Sequence, residues 1–229
     1  MKKAVVLLSG GLDSAVLLYL AKSKGYSCSC LSFDYGQRHL REIQSAERLS
    51  KLCGYKHTLV KLNLPWLDSA LIDKKRLLTA KMENIGRGIP PTYVAARNLV
   101  FLSIGISYCE SISASSLFIG ANAVDFSGYP DCREGFLSAF SEAVNLGTKA
   151  GVSGEPISIA RPLIEKKKSE IIRLGSELSV PFELTWSCYF GGEIPCGECE
   201  SCYLRKKGFL EAGIPDPLVQ RTEDRISDI

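Results

Sequence analysis

Residues 9–14 read Ser-Gly-Gly-Leu-Asp-Ser and combine the residue types that bind a phosphate group. Two adjacent glycines allow positive φ angles and bring bare backbone N–H groups close to an anion. Ser9 and Ser14 add hydroxyl donors, and a helix beginning here would add its partial positive charge. Asp13 would repel a phosphate, so we expect it to cap the helix or to hold a Mg²⁺ ion that the phosphates share. The alternative to a phosphate site is a tight turn with an Asp cap.

A second group of residues has the spacing of a metal site. Its members follow the pattern C-x7-C-x2-C-x2-C and are Cys188, Cys196, Cys199 and Cys202. Two-residue spacings let successive sulfurs converge on one ion, and four thiolates complete a structural Zn²⁺ site that leaves no open position for catalysis. An iron–sulfur cluster is the second interpretation, and two disulfides are the third.

A polar loop that follows a short apolar run predicts a substrate pocket. Residues 125–133 contain two carboxylates, a hydroxyl, a phenol and a guanidinium, whereas a plain turn needs neither Tyr nor Arg. The candidate binding residues are Asp125, Ser127, Gly128, Tyr129, Asp131 and Arg133.

Two cations stand where helices are predicted to begin. A long apolar helix is predicted from Thr92 to about Cys109, with Arg97 in its first turns, and Lys168 precedes a helix over residues 169–178. A cation near a helix N-terminus is unfavourable unless an anion is close. Spacing alone favours an exposed Arg97, and it does not decide between an anion-binding and a solvated Lys168.

Short apolar or alternating runs, separated by single helical segments, position these residues. The predicted strands are residues 3–8, 27–33, 56–62, 116–120 and 157–160. Strands joined by single helices favour right-handed crossovers and a parallel sheet, whose ligands lie at the carboxyl ends of the strands. We therefore expect a Rossmann-like, doubly wound α/β fold. Residues 63–91 interrupt the alternation of strands and helices, which predicts a surface loop that could act as a lid.

The composition is that of a globular domain with a full core. The chain has 229 residues, of which 45% are hydrophobic, and a formal charge of +3 that does not by itself indicate nucleic-acid binding. The glycines of residues 9–14 interrupt the first apolar run too early for a signal peptide, and no run reaches the roughly 20 apolar residues of a membrane span. Nine cysteines, several of them scattered, suit free thiols, so we expect a cytoplasmic protein.

Residues 9–14, set after a first strand, resemble the PP-loop of the ATP pyrophosphatase superfamily and match neither a Walker A loop nor a dinucleotide fingerprint. Further motifs follow in order, namely F-D-Y-G-Q-R-H at 33–39, Y-V-x-A-R-N at 93–98, D-F-S-G-Y-P-D-C-R at 125–133, P-L-x-x-x-x-K at 162–168 and T-W-S-C-Y…C-G-x-C-x-x-C at 185–202. Together they resemble the 7-cyano-7-deazaguanine synthase family of the queuosine pathway. One departure is Ala95, where that family usually has Pro.

The resemblance implies an ATP-dependent ligase that forms carbon–nitrogen bonds. Its substrates would be 7-carboxy-7-deazaguanine, ammonium and ATP, and its products the nitrile, AMP and pyrophosphate. Catalysis would be mostly positioning and charge stabilisation, with Asp13 holding Mg²⁺ and with Arg97 and Lys168 facing phosphate charge. The ATP-binding residues that the resemblance implies are Leu8, Ser9, Gly10, Gly11, Leu12, Asp13, Ser14, Ala15, Val16, Leu17 and Leu18.

The resemblance also implies how the chain is divided. Residues 1–180 would form a PP-loop ATP-binding domain of the adenine nucleotide alpha hydrolase type, and residues 181–229 an arm that binds one structural Zn²⁺ ion. The loop at 125–133 would hold the purine-like base, with a carboxylate reading its amidine edge. The protein would be a homodimer without a membrane or nucleic-acid partner. Two alternatives remain open, a PP-loop enzyme that acts directly on tRNA and a zinc module that binds nucleic acid.

Overall fold

The computed structural model describes residues 2–38, 40–67, 69–73, 88–122, 124 and 128–219. Within these ranges the strands form one parallel sheet in the order β3-β2-β1-β4-β5. The strands are β1 (Lys3–Leu7), β2 (Ser27–Asp34), β3 (Lys56–Lys61), β4 (Ser116–Phe118) and β5 (Ser158–Ala160). Each lies within the run predicted for it or differs by a few residues at its ends.

Helices cover both faces of the sheet. They are α1 (Leu12–Ser23), α2 (Arg41–Cys53), α3 (Arg97–Ser111), α4 (Glu134–Gly147), α5 (Lys149–Val152), α6 (Lys168–Glu177) and α7 (Glu200–Ala212). The two helix layers follow from the central strand β1, because successive side chains of a strand point to opposite faces of the sheet. Ala4 and Val6 belong to a core cluster that includes side chains of α1, α2, α6 and α7. Val5 belongs to a second cluster with α3 and α4, so the predicted doubly wound α/β fold is confirmed.

The strand order creates a switch point beside β1. Chain connections run outward from β1 to β2 and β3, and the next strand, β4, then pairs with the other side of β1. In such sheets a crevice opens at the carboxyl ends of the strands where the order reverses. The fold therefore places residues 9–14, which follow β1, at the mouth of that crevice.

The long apolar helix begins later than the sequence predicted. Residues 92–96 are not helical, and Ala96 has a left-handed φ of 51° before α3 starts at Arg97. The start of α3 is determined by a distant partner, because the Asp131 carboxylate accepts a hydrogen bond from the Asn98 N–H at 2.9 Å. A local pattern could not show this cap, and the prediction of a helix from Thr92 was wrong by five residues.

The C-terminal helix shares the core of the sheet domain. A Cβ on Gly208 would lie 2.3 Å from Cγ of Lys168, so the glycine lets α7 approach α6 closely. Phe209 packs edge-on against Phe182 with ring centroids 5.3 Å apart. The division of the chain at residue 180 stays a prediction. Across the described ranges, no helix is both long and apolar enough to cross a membrane.

Candidate active site at the switch point of the sheet

A cavity of about 290 Å³ occupies the crevice at the switch point. Its walls come from the turn after β1, the carboxyl ends of β2 and β4, the first turns of α2, α3 and α6, and the chain around Trp186. Elements that are far apart in sequence thus meet at one site, as the parallel topology requires.

The turn after β1 is held by its own two serine hydroxyls. Ser14 Oγ accepts a hydrogen bond from the Gly10 N–H at 3.1 Å and from the Ser9 hydroxyl at 3.0 Å, and it donates to the Gly11 carbonyl at 3.0 Å. Ser9 Oγ accepts from the Gly11 N–H at 3.2 Å. The result is a closed, preformed turn at the start of α1, with side chains that line the cavity.

Residues 15–18 occupy a different environment from the turn itself. Ala15, Val16, Leu17 and Leu18 are fully buried in the core cluster on the α1 face. Leu8, Ser9, Gly11, Leu12, Asp13 and Ser14 line the cavity. Within the range 8–18 that was predicted to bind ATP, residues 15–18 therefore anchor the helix in the core, while residues of 8–14 line the cavity.

Gly10 is required by its surroundings. It has a φ of +89°, and a Cβ placed on it would lie 1.9 Å from the carbonyl oxygen of Glu42 on α2. The neighbouring Gly11 has an ordinary extended conformation, with φ of −75°. The Trp186 N–H donates to the Gly10 carbonyl at 3.0 Å from the other side. The turn is thus fitted between α2 and the C-terminal part of the chain.

The close packing around Gly10 predicts that alanine substitutions at two glycines with positive φ will lower the stability of the protein by different amounts. Gly25, at the end of α1, has a φ of +78° but no heavy atom near its added Cβ, so Gly25→Ala should lower the free energy of unfolding by about 1 kcal/mol. Gly10→Ala adds a backbone clash and should lower it by about 3 kcal/mol or more. Chemical denaturation of both variants measures the difference, and equal losses would contradict the observed packing.

Asp13 is not a helix cap. It lies inside the first turn of α1, whose N-cap residue is Gly11, and its carboxylate accepts hydrogen bonds from Lys168 Nζ at 2.7 Å on each oxygen. The side chains of Lys168 and Asp13 are 11% and 18% exposed. Lys168 is the first residue of α6, where a cation opposes the helix dipole, and Asp13 offsets this. Both residues line the cavity, whereas the adjacent Lys167 is exposed.

Arg97 also faces the cavity and is not the exposed side chain that spacing favoured. Its Nη1 donates to the Tyr35 hydroxyl at 3.1 Å, and the guanidinium lies 5.8 Å from the centre of the Tyr35 ring. Asn98 follows it and donates from Nδ2 to Cys132 Sγ at 3.1 Å. The first turn of α3 is therefore oriented by the end of β2 and by the loop before α4.

Among the described residues 128–133 of the predicted substrate loop, Tyr129 and Cys132 line the cavity. Tyr129 lines the cavity, shares a 2.7 Å hydrogen bond with the Thr92 hydroxyl, and burial raises its pKa to about 12. Asp131 is buried and caps α3, while Arg133 is exposed and Gly128 packs against Gly88. Two further candidates, Asp125 and Ser127, lie outside the described residues.

Several residues that line the cavity were not predicted from the sequence to do so. Glu42 on α2 lines the cavity, and burial raises the pKa of its carboxyl to about 7, with Arg97 lowering it and Cys188 raising it further. Trp186, Tyr189 and Arg205 line it from the C-terminal side. Glu42 lies nine residues after Phe33, in a helix that contains many other charged residues. No local signal separates it from the charged residues around it.

The four cysteines come together beside this cavity. The sulfur atoms of Cys188, Cys196, Cys199 and Cys202 all lie within 4.8 Å of one another. Four sulfurs bound to one Zn²⁺ ion should be about 3.8 Å apart, given bonds of about 2.3 Å. The donor set therefore fits a single tetrahedral ion. Sulfurs that bind separate irons of a cluster would stand farther apart.

Backbone N–H groups also point at the sulfur atoms. Cys188 Sγ accepts from the N–H groups of Phe190 and Cys196, and Cys196 Sγ accepts from that of Cys199, all at 3.3–3.4 Å. Such bonds stabilise thiolate ligands, and the neighbouring thiols hold the pKa of Cys188 well below its usual value. The Trp186 indole N–H donates to the Cys188 carbonyl at 2.9 Å, which joins the four-cysteine centre to the turn at Gly10.

Comparisons with known proteins give one consistent result. The family model described as queuosine biosynthesis protein QueC matches residues 3–213. A 7-cyano-7-deazaguanine synthase from Trichodesmium erythraeum is 52% identical over 95% of this chain and 100% of its own length. One from Nostoc punctiforme is 51% identical over 95% of this chain and 99% of its own length. Among solved structures, an NMN synthetase from Francisella tularensis has a TM-score of 0.50 at 16% identity, covering 93% of this chain and 78% of that one, which supports the fold alone.

Proposed function

Because this chain belongs to the queuosine biosynthesis protein QueC family, we propose that it converts 7-carboxy-7-deazaguanine and ammonium to 7-cyano-7-deazaguanine at the expense of ATP. The family relationship makes it a synthase that forms a carbon–nitrogen bond. The observation that carries the ATP-dependent chemistry is the closed glycine turn at the mouth of the cavity, with Asp13 and Lys168 paired beside it.

The proposed reaction has two activation steps. A carboxylate oxygen of the substrate attacks the α-phosphorus of ATP, and pyrophosphate leaves with the electron pair of the broken P–O bond. Ammonia then attacks the acyl carbon, AMP leaves, and the amide forms. The amide oxygen attacks a second ATP, again releasing pyrophosphate. Loss of AMP together with the protons on nitrogen leaves the nitrile.

The chain contributes orientation and charge to these steps. The N-terminus of α1 would receive phosphate oxygens, and the hydroxyls of Ser9 and Ser14 would turn from their bonds within the turn to donate to them. Lys168 and Arg97 face the charge that develops around the α-phosphorus, which is the way that preorganised cations lower such barriers. Mg²⁺ that arrives with ATP shields phosphate charge, and Asp13 is the carboxylate that would hold it.

Tyr129 is the member of the 125–133 loop that we assign to the base, since it lines the cavity, as the aromatic residues Tyr35, Phe101 and Tyr189 also do. Asp131 acts indirectly, because its carboxylate fixes the start of α3 and hence Arg97. Contributions from Asp125, Ser127, Gly128 and Arg133 belong to the proposal as well. The four cysteines would hold one Zn²⁺ ion whose role is to fold the chain around Trp186.

The test is the dependence of pyrophosphate release on the substrate. We expect AMP and pyrophosphate to appear only when 7-carboxy-7-deazaguanine is present, and the nitrile to appear only when ammonium is added as well. Purified protein, ATP and Mg²⁺ suffice, with products measured by chromatography and mass spectrometry. Release that requires tRNA in place of the deazapurine acid would overturn the proposal.

Three broader assignments complete the proposal. The enzyme would work in the reducing cytosol, which suits nine cysteines of which none forms a disulfide. The enzyme would act as a homodimer, as the family resemblance implies, which light scattering of the purified protein checks. Its partners would be small molecules, with no nucleic acid required for turnover.

A further inference from the structure

Asn122 lies just beyond the carboxyl end of β4 and lines the cavity, and the proposed reaction gives it no role. It is 2% exposed. Its Nδ2 donates a hydrogen bond to the Lys166 carbonyl at 2.7 Å, and its Oδ1 accepts one from the Val124 N–H at 2.9 Å. Because a carbonyl only accepts and an N–H only donates, these two partners together require an amide in this orientation. The side chain thus joins the end of β4 to the segment that precedes α6.

The bond to Lys166 fixes the approach of the chain to α6. Lys167 is the N-cap residue of this helix, and Lys168 is its first residue. The Lys166 carbonyl precedes the N-cap, so the helix itself supplies no donor for it. The cap on the other side is local, since the Lys167 N–H donates to Glu170 Oε2 at 2.7 Å within the same turn. Asn122 therefore gives the start of α6 a connection to the sheet, which the local cap does not give.

The segment that carries Asn122 also runs beside the first turn of α1. A Cβ placed on Gly120, two residues earlier, would lie 3.6 Å from backbone atoms of Asp13 and Ser14. One short segment after β4 therefore touches the backbone that carries Asp13 and holds the backbone that leads to Lys168. This arrangement sets the distance between the two helix starts whose side chains pair at 2.7 Å.

The side chain of Lys168 is restrained along its length. Its Nζ donates to both oxygens of Asp13, and its Cβ and Cγ pack against Gly208 of α7, where an added Cβ would clash. The bond from Asn122 restrains the backbone ahead of it. A cation lowers a barrier only from the right place, and a displacement of about 1 Å can lower a rate about 100-fold. The backbone restraint therefore matters for any reaction that uses this lysine.

Resting on the proposed function, we infer that Asn122 is a positioning residue for adenylation, holding the backbone ahead of Lys168 so that its ammonium group faces the α-phosphorus of ATP. Both polar atoms of the amide are bound to backbone groups, so Asn122 acts through the lysine and not on the phosphate itself. It takes no part in making or breaking a bond. Its contribution is to the rate of pyrophosphate release, which is the step that the lysine serves.

Two substitutions remove the bond to Lys166 in different ways. Asn122→Leu keeps roughly the same volume and removes both hydrogen bonds without adding a charge. Asn122→Asp keeps the acceptor for the Val124 N–H and places an oxygen against the Lys166 carbonyl. We expect each to lower kcat for substrate-dependent pyrophosphate release about 10- to 100-fold, with the KM for ATP within about threefold. Asn145→Leu, on α4 and outside the cavity wall, is the matched control and should change kcat less than about twofold.

Combination with Lys168→Met shows whether Asn122 acts through the lysine. In Lys168→Met enzyme, the further change Asn122→Leu should lower the rate by less than about twofold, because the cation that Asn122 positions is already absent. If the two effects multiply instead, Asn122 acts on the ligand directly or on the fold as a whole, and the inference is overturned. Chemical denaturation verifies that each variant is folded in the assay, and Asn122→Asp serves in the same cycle if Asn122→Leu is not.

A second readout does not depend on turnover. Acetic anhydride modifies lysine amines according to their accessibility and freedom, and mass spectrometry of proteolytic fragments resolves Lys168 from Lys167. The side chain of Lys168 is 11% exposed and paired with Asp13, so its labelling in the unaltered protein should be slow. In Asn122→Leu we expect labelling of Lys168 to be at least about threefold faster, while the exposed Lys167 is labelled as before. Unchanged labelling of Lys168 would contradict the inference.

Failure of this inference and failure of the proposed function give different results. If the unaltered protein releases no pyrophosphate with 7-carboxy-7-deazaguanine, the proposed function fails, and the labelling experiment still tests whether Asn122 holds Lys168 in place. If release by the unaltered protein is normal and Asn122→Leu retains its kcat, the role of Asn122 fails alone. An effect confined to Asn122→Asp would come from the added charge and would overturn the inference as well.

Discussion

A Cys199→Ser variant is expected to contain no bound metal and to lose the ordered structure of the chain from about Trp186 onward. Cys199 is 1% exposed, and its sulfur belongs to the four that lie within 4.8 Å of one another. Zinc bound by four such ligands contributes roughly 10–16 kcal/mol in small zinc-finger peptides. That is comparable to the whole stability of a domain, about 5–15 kcal/mol.

The measurements for this prediction are metal analysis, limited proteolysis and activity. We expect one zinc per chain in the unaltered protein, none in Cys199→Ser, rapid cleavage near residue 190 in the variant, and loss of pyrophosphate release. Cys53→Ser is the matched control, because Cys53 is a cysteine at the end of α2 and not a member of the cluster. Iron in place of zinc would contradict the metal assignment, and full activity without metal would show that the site is dispensable.

Replacement of Lys168 by Met should reduce pyrophosphate release by about 100- to 1000-fold, the usual effect of removing one preorganised charge from a phosphate site. The substitution keeps the length of the side chain and most of its packing against Gly208, so the fold should persist. Both oxygens of Asp13 lose their hydrogen bonds in this variant. Asp13→Asn should have an effect of similar size, since it removes the carboxylate that holds the lysine and would bind Mg²⁺.

A neighbouring lysine provides the control for substitutions of the Asp13–Lys168 pair. Lys167→Met changes an exposed neighbour at the same helix start and should leave the rate within about twofold. Combining Asp13→Asn with Lys168→Met should cost little more than the larger single effect, because residues that act as a unit are not additive. A Lys168→Met enzyme with nearly full activity would reduce its role to holding Asp13.

The sequence could predict those parts of the site that are formed by residues close together in the chain. The turn at 9–14 was predicted as a strand-to-helix turn from its glycines, and the structure gives Gly10, but not Gly11, the positive φ that such a turn needs. The cysteine spacing likewise predicted a single cluster, and the four sulfurs meet. The parallel sheet followed from the alternation of strands and helices, whereas the order of its strands was not predicted.

The remaining features depend on contacts between distant segments, which no pattern of neighbouring residues contains. Spacing favoured an exposed Arg97, but Tyr35 and the cap from Asp131 turn it into the cavity. Asp131 was predicted to bind substrate, which stays a prediction, and no local pattern showed that one of its carboxylate oxygens accepts the Asn98 N–H at the start of α3. Glu42 is one of many charges on α2, and only the packing of that helix against Gly10 distinguishes it.

The hydrogen bond from the Trp186 N–H to the Gly10 carbonyl has a consequence for how the protein is made. The turn at residues 9–14 emerges among the first residues from the ribosome, and its partner Trp186 emerges only after most of the chain has been synthesised. Non-local contacts of this kind form late in folding, because the intervening chain must first be ordered. Nascent chains shorter than about residue 190 should therefore carry the complete turn sequence without its final shape, so the proposed ATP site would be completed only near the end of translation.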